Sequence, residues 1–207
     1  MLFLGLQLGL LGFLFYIFAI LLALTLHEFA HAYAANRLGD PTPKLMGRLS
    51  LNPIAHLDLF GTIFLLLAGF GWGKPVIINS RNFTNPRWDN LTVSLAGPMT
   101  NFFLALIFGL LLRFVPLPSI VQSLFIIIIE VDLIFMIFNL LPIPPLDGSK
   151  VLGLFTSEQT YIVLQQIGIP ILLGLIIFSS FIPIIPFIIN RVISFFFTLI
   201  VGQSPIV

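Results

Sequence analysis

The chain has 207 residues, 58% of them hydrophobic and only 8% charged, with 23 phenylalanines, no cysteine and a net charge of +1. So apolar a composition excludes a water-soluble globular fold and indicates a polytopic, all-α membrane protein. The near-neutral charge gives no basis for a nucleic-acid partner. The lack of cysteine removes disulfides, thiolate ligands and a cysteine nucleophile together, leaving His, Asp and Glu as the metal-binding side chains.

Leu2 to Leu38 is one apolar, helix-compatible run that Gly39 and Pro41 should end. No Lys or Arg precedes Arg37, so the run lacks the basic start of a signal peptide and reads as retained. At 1.5 Å per residue it would reach roughly 55 Å, longer than the ~30 Å hydrocarbon core, so it must tilt, project or break near Gly9 and Gly12. Lys44 to Leu51 alternates, with Leu45, Leu49 and Leu51 on one face, and reads as a short strand; Val76 to Ile78 is another. Between them, Leu57 to Phe70 is too short for a comfortable span and reads as a re-entrant segment. Trp72 and Trp88 suit the headgroup level.

Leu91 to Val115 and Ile120 to Leu141 are clear spans. Pro142, Pro144 and Pro145 then forbid regular helix up to Asp147-Gly148, and non-helical backbone at that depth has to be buried in protein or line a cavity. Val151 to Gln166 looks interfacial, Ile167 to Ile189 is a proline-interrupted span, and Val192 to Val201 is a final hydrophobic piece. There is no internal repeat. Residues 1–207 read as one membrane-embedded domain, with a core of about 10–153 and C-terminal hydrophobic segments over 154–207.

The first run ends in Thr25-Leu26-His27-Glu28-Phe29-Ala30-His31. His27 and His31, at i and i+4, share a helical face, and Glu28 lies on the same half of the wheel. This is a zinc-binding half-site: two neutral imidazoles hold the metal while an unligated carboxylate takes a proton from the water it activates. The pentapeptide alone also admits two interfacial histidines with a snorkelling glutamate, but ionisable groups at a membrane span are costly enough to be read as functional. Asp147 is the best candidate for a third ligand, with a polar turn capping the helix from Lys150 as its other reading.

Three stretches, His27-Glu28-Phe29-Ala30-His31, Gly97-Pro98-Met99-Thr100-Asn101 and Asn139 to Gly148, resemble in wording and order the site-2 protease family (peptidase M50 type), intramembrane zinc metalloproteases. The resemblance runs from about Thr25 to Leu152, and is to the compact branch without PDZ or CBS domains. It implies one Zn2+ per chain bound by His27, His31 and Asp147, Glu28 as the catalytic base, and Asn139 as a stabiliser of the tetrahedral intermediate. Gly97 and Asn101 are expected to serve helix packing. His56 reads as interfacial. Asp132 shares a helical face with Asn139 whereas Glu130 points roughly opposite; one or both are otherwise protonated or paired with Arg113.

The function expected is hydrolysis of peptide bonds in or beside transmembrane segments of membrane proteins, in a lipid bilayer, with oligomeric state open. A catalytically silent scaffold and a metal or ion transporter using the same cluster are the rivals; the scaffold should lack Glu28, and the transporter should show half-repeats. The His pair and Asp147 meet at one membrane side only if Leu57 to Phe70 re-enters. Arg37, Lys44, Arg48, Lys74, Arg81, Arg87 and Lys150 then share a side, with Arg113 on the other, which by the positive-inside rule makes the zinc side cytoplasmic, with the cell membrane as the expected location. The two strands, over Lys44 to Leu51 and Val76 to Asn79, are expected to offer edges to an unwound substrate.

Overall fold

The computed structural model describes residues 9–68, 71–179 and 184–202. In chain order it forms α1 (Gly9–Arg37), a helical turn α2 (Thr42–Leu45), α3 (Leu59–Ala68), α4 (Pro86–Phe114), α5 (Ser119–Asn139), a second turn α6 (Leu152–Phe155), α7 (Glu158–Ser179) and α8 (Ile184–Val201). Tight 3-10 turns lie at Pro53–Ala55, Ser80–Asn82 and Asp147–Val151. Helices α1, α4 and α5 are long and apolar enough to cross a membrane. Residues 2–8 of the first apolar run lie outside the described residues.

The three long helices pack on one another through small and branched residues. Ala19 and Ala23 of α1, both fully buried, meet Ile127, Ile128 and Val131 of α5, and such small side chains let helix backbones approach closely where no hydrophobic effect separates helix from lipid. Ala105 of α4 joins Ile129, Leu133 and Met136 of α5 and Phe197 and Ile200 of α8 in a second cluster. Outward faces carry Leu14, Phe18, Phe103 and Ile107, exposed apolar side chains that belong in hydrocarbon.

Helix α1 ends where the sequence places its stop: Gly39 takes φ 103°, a left-handed conformation closed to most residues, and Pro41 follows. The intervening Asp40 is buried and ties the end of α1 to a distant loop. Its Oδ1 accepts from the Thr42 hydroxyl (2.6 Å), the Thr42 amide (3.1 Å) and Asn82 Nδ2 (2.7 Å), and its Oδ2 accepts from the Asn79 amide (2.8 Å). Burial alone would push this carboxyl up, but those donors outweigh it and hold it below the usual carboxylate range.

The apolar segment after His56 leaves and returns at one place. Leu57 and Gly73 form an antiparallel bridge, and the Lys74 amide donates to the His56 carbonyl at 2.8 Å. With its ends joined, and only about 15 Å of helix in α3, the excursion does not reach the opposite side of a ~30 Å core. Two crossings, α4 and α5, therefore separate the end of α1 from Asp147, a pattern that brings the ends of α1 and α5 together.

The two short strands are not formed. Thr42–Leu45 is helical, with Pro43 inside its first turn, and Gly47 has φ 71°, which no extended strand contains. Leu45 and Leu51, placed on one face of the expected strand, are exposed, while Arg48 turns inward and donates to the carbonyls of Ala55 and Lys74. Over Val76 to Asn79 no ladder forms either: Pro75 has no donor, and the Asn79 amide is taken by Asp40. With the strands go the edges expected to hold a substrate.

The C-terminal boundaries also differ. Ser157 Oγ accepts from the Thr160 amide at 3.2 Å, an N-cap that starts α7 at Glu158, so the stretch read as interfacial continues through Pro170 as one helix. Residues 180–183, inside the proline-interrupted span, lie outside the described residues. Arg113 donates to the carbonyls of Leu199 and Ile200 and pairs with neither Glu130 nor Asp132.

Removing the Asp40 acceptor strands several donors, so Asp40→Leu should lower stability by on the order of 1–3 kcal/mol. Because the folded carboxyl sits below its ordinary value of 3.8, this contribution is fully present above that pH and is lost as pH falls below it. Unfolding of the two proteins in detergent should therefore differ most at neutral pH and converge in acid; equal stability at neutral pH contradicts the assignment.

Candidate metal centre

Helical spacing puts His27 and His31 one turn apart on the face of α1 that looks into the bundle, where both are buried. Each ring is held by its outer nitrogen. His31 Nδ1 lies 2.7 Å from the Val93 carbonyl, and His27 Nδ1 lies 2.7 Å from Asn101 Oδ1. A carbonyl only accepts, so His31 carries its proton on Nδ1. The Asn101 amide nitrogen faces two further acceptors, the Ala23 carbonyl (3.2 Å) and Asp132 Oδ1 (2.7 Å), which turns its oxygen to His27 and puts that proton on Nδ1 too.

Both Nε2 atoms are then bare lone pairs, and they face each other at 3.0 Å. Asp147 completes the set. Its Oδ2 is buried, has no hydrogen bond, and lies 3.1 Å from His27 Nε2 and 3.2 Å from His31 Nε2. A single proton shared between two of these acceptors leaves the third facing a lone pair. A divalent cation satisfies all three. Ligand atoms at the usual zinc distances in a tetrahedral site lie roughly 3.3–3.5 Å from one another, close to what is found, and two nitrogens with one carboxylate oxygen suit zinc. His27, His31 and Asp147 are the group among the described residues able to hold a metal ion.

Two glycines let the parts converge. Val93, Gly97 and Asn101 follow at intervals of four along α4 and so line one face. A Cβ on Gly97 would stand 2.5 Å from His31 Nε2 and 2.7 Å from His27 Nε2, in the space the cation needs. Asp147 comes from the proline-broken turn after α5. A Cβ on Gly148 would fall 2.2 Å from the Leu140 carbonyl, so glycine lets that turn fold back on the helix end and aim the carboxylate inward. Asp147 does not cap a following helix: the residue before the 3-10 turn is Leu146, and no side chain caps it.

Glu28 stands beside His27, half-buried, with no hydrogen bond or ion pair among the described residues. Asn139 is not bonded to the cluster; its Nδ2 donates to the Phe135 carbonyl one turn back at 3.0 Å, leaving its second N–H. His56 is fully buried and points Nε2 at the Ser50 carbonyl, 2.7 Å away. Asn101 is more than a packing residue, since it grips His27. Its spacing of four from Gly97 and the carboxyl of Asp132 within a span were the available signals.

The sequence profile described as Peptidase family M50 matches residues 15–126. The chain belongs to peptidase family M50. Among its relatives is the protein named "Putative zinc metalloprotease YwhC" of Bacillus subtilis, 43% identical over 145 residues, which are 66% of each chain. Another is "Putative zinc metalloprotease Rip2" of Mycobacterium tuberculosis, 34% identical over 148 residues, 68% of this chain and 56% of that one. The chain thus spans less than two thirds of the length of either. No solved structure matches it. The M50 match includes both histidines, Glu28, Gly97 and Asn101 but stops before Asp132, Asn139 and Asp147, and it is the geometry that brings Asp147 to the two histidines.

Gly97→Ala should weaken zinc binding about 10- to 100-fold, as expected where a methyl group costs ~1–3 kcal/mol by overpacking. Chelator competition on the folded protein measures it; an unchanged affinity would mean that the cation does not sit between the histidines and α4.

Proposed function

We propose that the chain is an intramembrane zinc endopeptidase that hydrolyses peptide bonds in or next to transmembrane segments of membrane proteins. The observation that carries this reading is the convergence of three bare acceptor atoms inside a bundle of membrane-crossing helices. His27 lies ten residues from the end of α1 at Arg37, about 15 Å along the helix and so within the depth of a bilayer. A scissile bond brought there would come from a membrane protein.

In this reading His27, His31 and Asp147 hold one zinc ion per chain. Bound there, zinc supplies Lewis acidity, polarising a carbonyl and bringing the pKa of a water from about 15.7 towards 7. Glu28, adjacent to His27 and unpaired, takes the proton of the attacking water and returns it to the departing amine. Asn139 offers its second N–H to the oxygen that becomes negative, a donor of a kind whose loss typically costs about 10²–10³ in rate. The buried surroundings strengthen each of these contacts by excluding water. Water attacks directly, because the chain has no cysteine and, among the described residues, no serine or threonine is hydrogen-bonded to His27, His31 or Asp147. The scissile segment must leave its helix first, since helical carbonyls are hydrogen-bonded and shielded.

Glu28→Gln should lower cleavage of a co-expressed membrane substrate by at least about 10²-fold with zinc retained, whereas Asp147→Ala should lose zinc as well. Zinc loss in Glu28→Gln, or full activity in Asp147→Ala, contradicts these roles. The basic residues make the metal side cytoplasmic by the positive-inside rule. Cysteines in place of the exposed Lys44 and Arg81 should then label from the cytoplasm alone, and labelling from opposite sides refutes that topology.

A further inference from the structure

His27 and His31 present the same atom to the centre, yet their outer nitrogens are held by different kinds of group. The Val93 carbonyl that holds His31 is main chain and has one chemical character. The Asn101 amide that holds His27 has two opposite ends. Turned by 180°, Asn101 would offer N–H to His27 Nδ1 and favour the tautomer with its proton on Nε2. The lone pair aimed at the cation would then be gone. Such second contacts commonly set which imidazole nitrogen is free to bind metal.

What resists that turn is the pair of acceptors on the far side of the amide. The Ala23 carbonyl is one, at 3.2 Å; Asp132 Oδ1 is the other and the closer, at 2.7 Å. A turned amide would set its oxygen against both. Asp132 is fully buried in the middle of α5, Asn101 is the hydrogen-bond partner of its Oδ1, and its Oδ2 has none. A carboxyl group at that depth is costly and calls for a use. Its contacts join three helices in one line, from Asp132 on α5 through Asn101 on α4 to His27 on α1.

We propose that Asp132 is a positioning residue of the metal centre: by holding the Asn101 amide in one orientation it keeps His27 in the tautomer whose Nε2 lone pair is free. The inference rests on reading His27, His31 and Asp147 as a metal site, but one arm of its test needs no metal.

The test uses the full chain in detergent, stripped of metal, labelled with ¹⁵N-histidine and held in alkaline buffer, so that its three imidazoles are neutral and their tautomers resolve. Wild type should show His27 and His31 protonated on Nδ1 and His56 on Nε2. In Asp132→Leu the His27 signals should move towards the Nε2–H form, and zinc affinity by chelator competition should fall about 10- to 100-fold. Asp132→Asn keeps an acceptor for Asn101 and should stay within about threefold of wild type while keeping its tautomer. Because Asp132 acts through Asn101, adding Asp132→Leu to Asn101→Leu should weaken zinc no further. A purely structural role would instead give additive losses and an unmoved His27 tautomer. Should the leucine variant not fold, Asp132→Ala removes the same acceptor and is read the same way against Asp132→Asn. Unchanged His27 signals in the folded acceptor-less variant, additive losses, or equal losses in Asp132→Asn and Asp132→Ala overturn the proposal. Wild-type protein that shows the expected tautomers yet binds no zinc would overturn the metal-site reading instead.

Discussion

Three lone pairs pointing at one another in an apolar interior are the constraint on which the rest of this structure depends. His27 Nε2, His31 Nε2 and Asp147 Oδ2 lie 3.0–3.2 Å apart, and none carries a proton for another once the outer nitrogens are accounted for. In water such acceptors would simply be solvated. Among membrane-crossing helices they are costly until a cation joins them, and a site that lacks solvent must obtain its charge balance from its own groups.

The helices supply that arrangement in separate ways. Helix α1 contributes spacing, since a four-residue step stacks two imidazoles on one face. Helix α4 contributes a template: a carbonyl at Val93, an empty volume at Gly97 and an amide at Asn101. Helix α5 contributes its end, where three prolines and Gly148 break the helix and turn Asp147 back into the bundle. The re-entrant excursion matters for parity, because its bridged ends at Leu57 and Gly73 leave both halves of the site at the same ends of their helices.

Much of this was legible in the sequence, for physical reasons. The long apolar runs marked α1, α4 and α5, the i and i+4 histidines gave the face, and the proline-rich break drew attention to Asp147. The strands failed because alternation over eight residues carries little information when one of them, Gly47, sits at positive φ and when Arg48 finds carbonyls to turn towards. The break in the C-terminal helices was misplaced because Ser157 caps a helix that Pro170 does not stop. The link from Asp132 through Asn101 to His27 could not be read, since hydrogen bonds between residues 31 and 74 positions apart depend on how helices are rotated against one another.

X-ray absorption at the zinc edge of the purified, folded protein tests the central claim most directly. The account predicts one bound zinc with two imidazole nitrogens at about 2.0–2.1 Å, an oxygen shell at about 2.0–2.2 Å and no sulfur. A third imidazole in the shell, an ion surrounded by oxygen alone, or folded protein that takes up no zinc would contradict it.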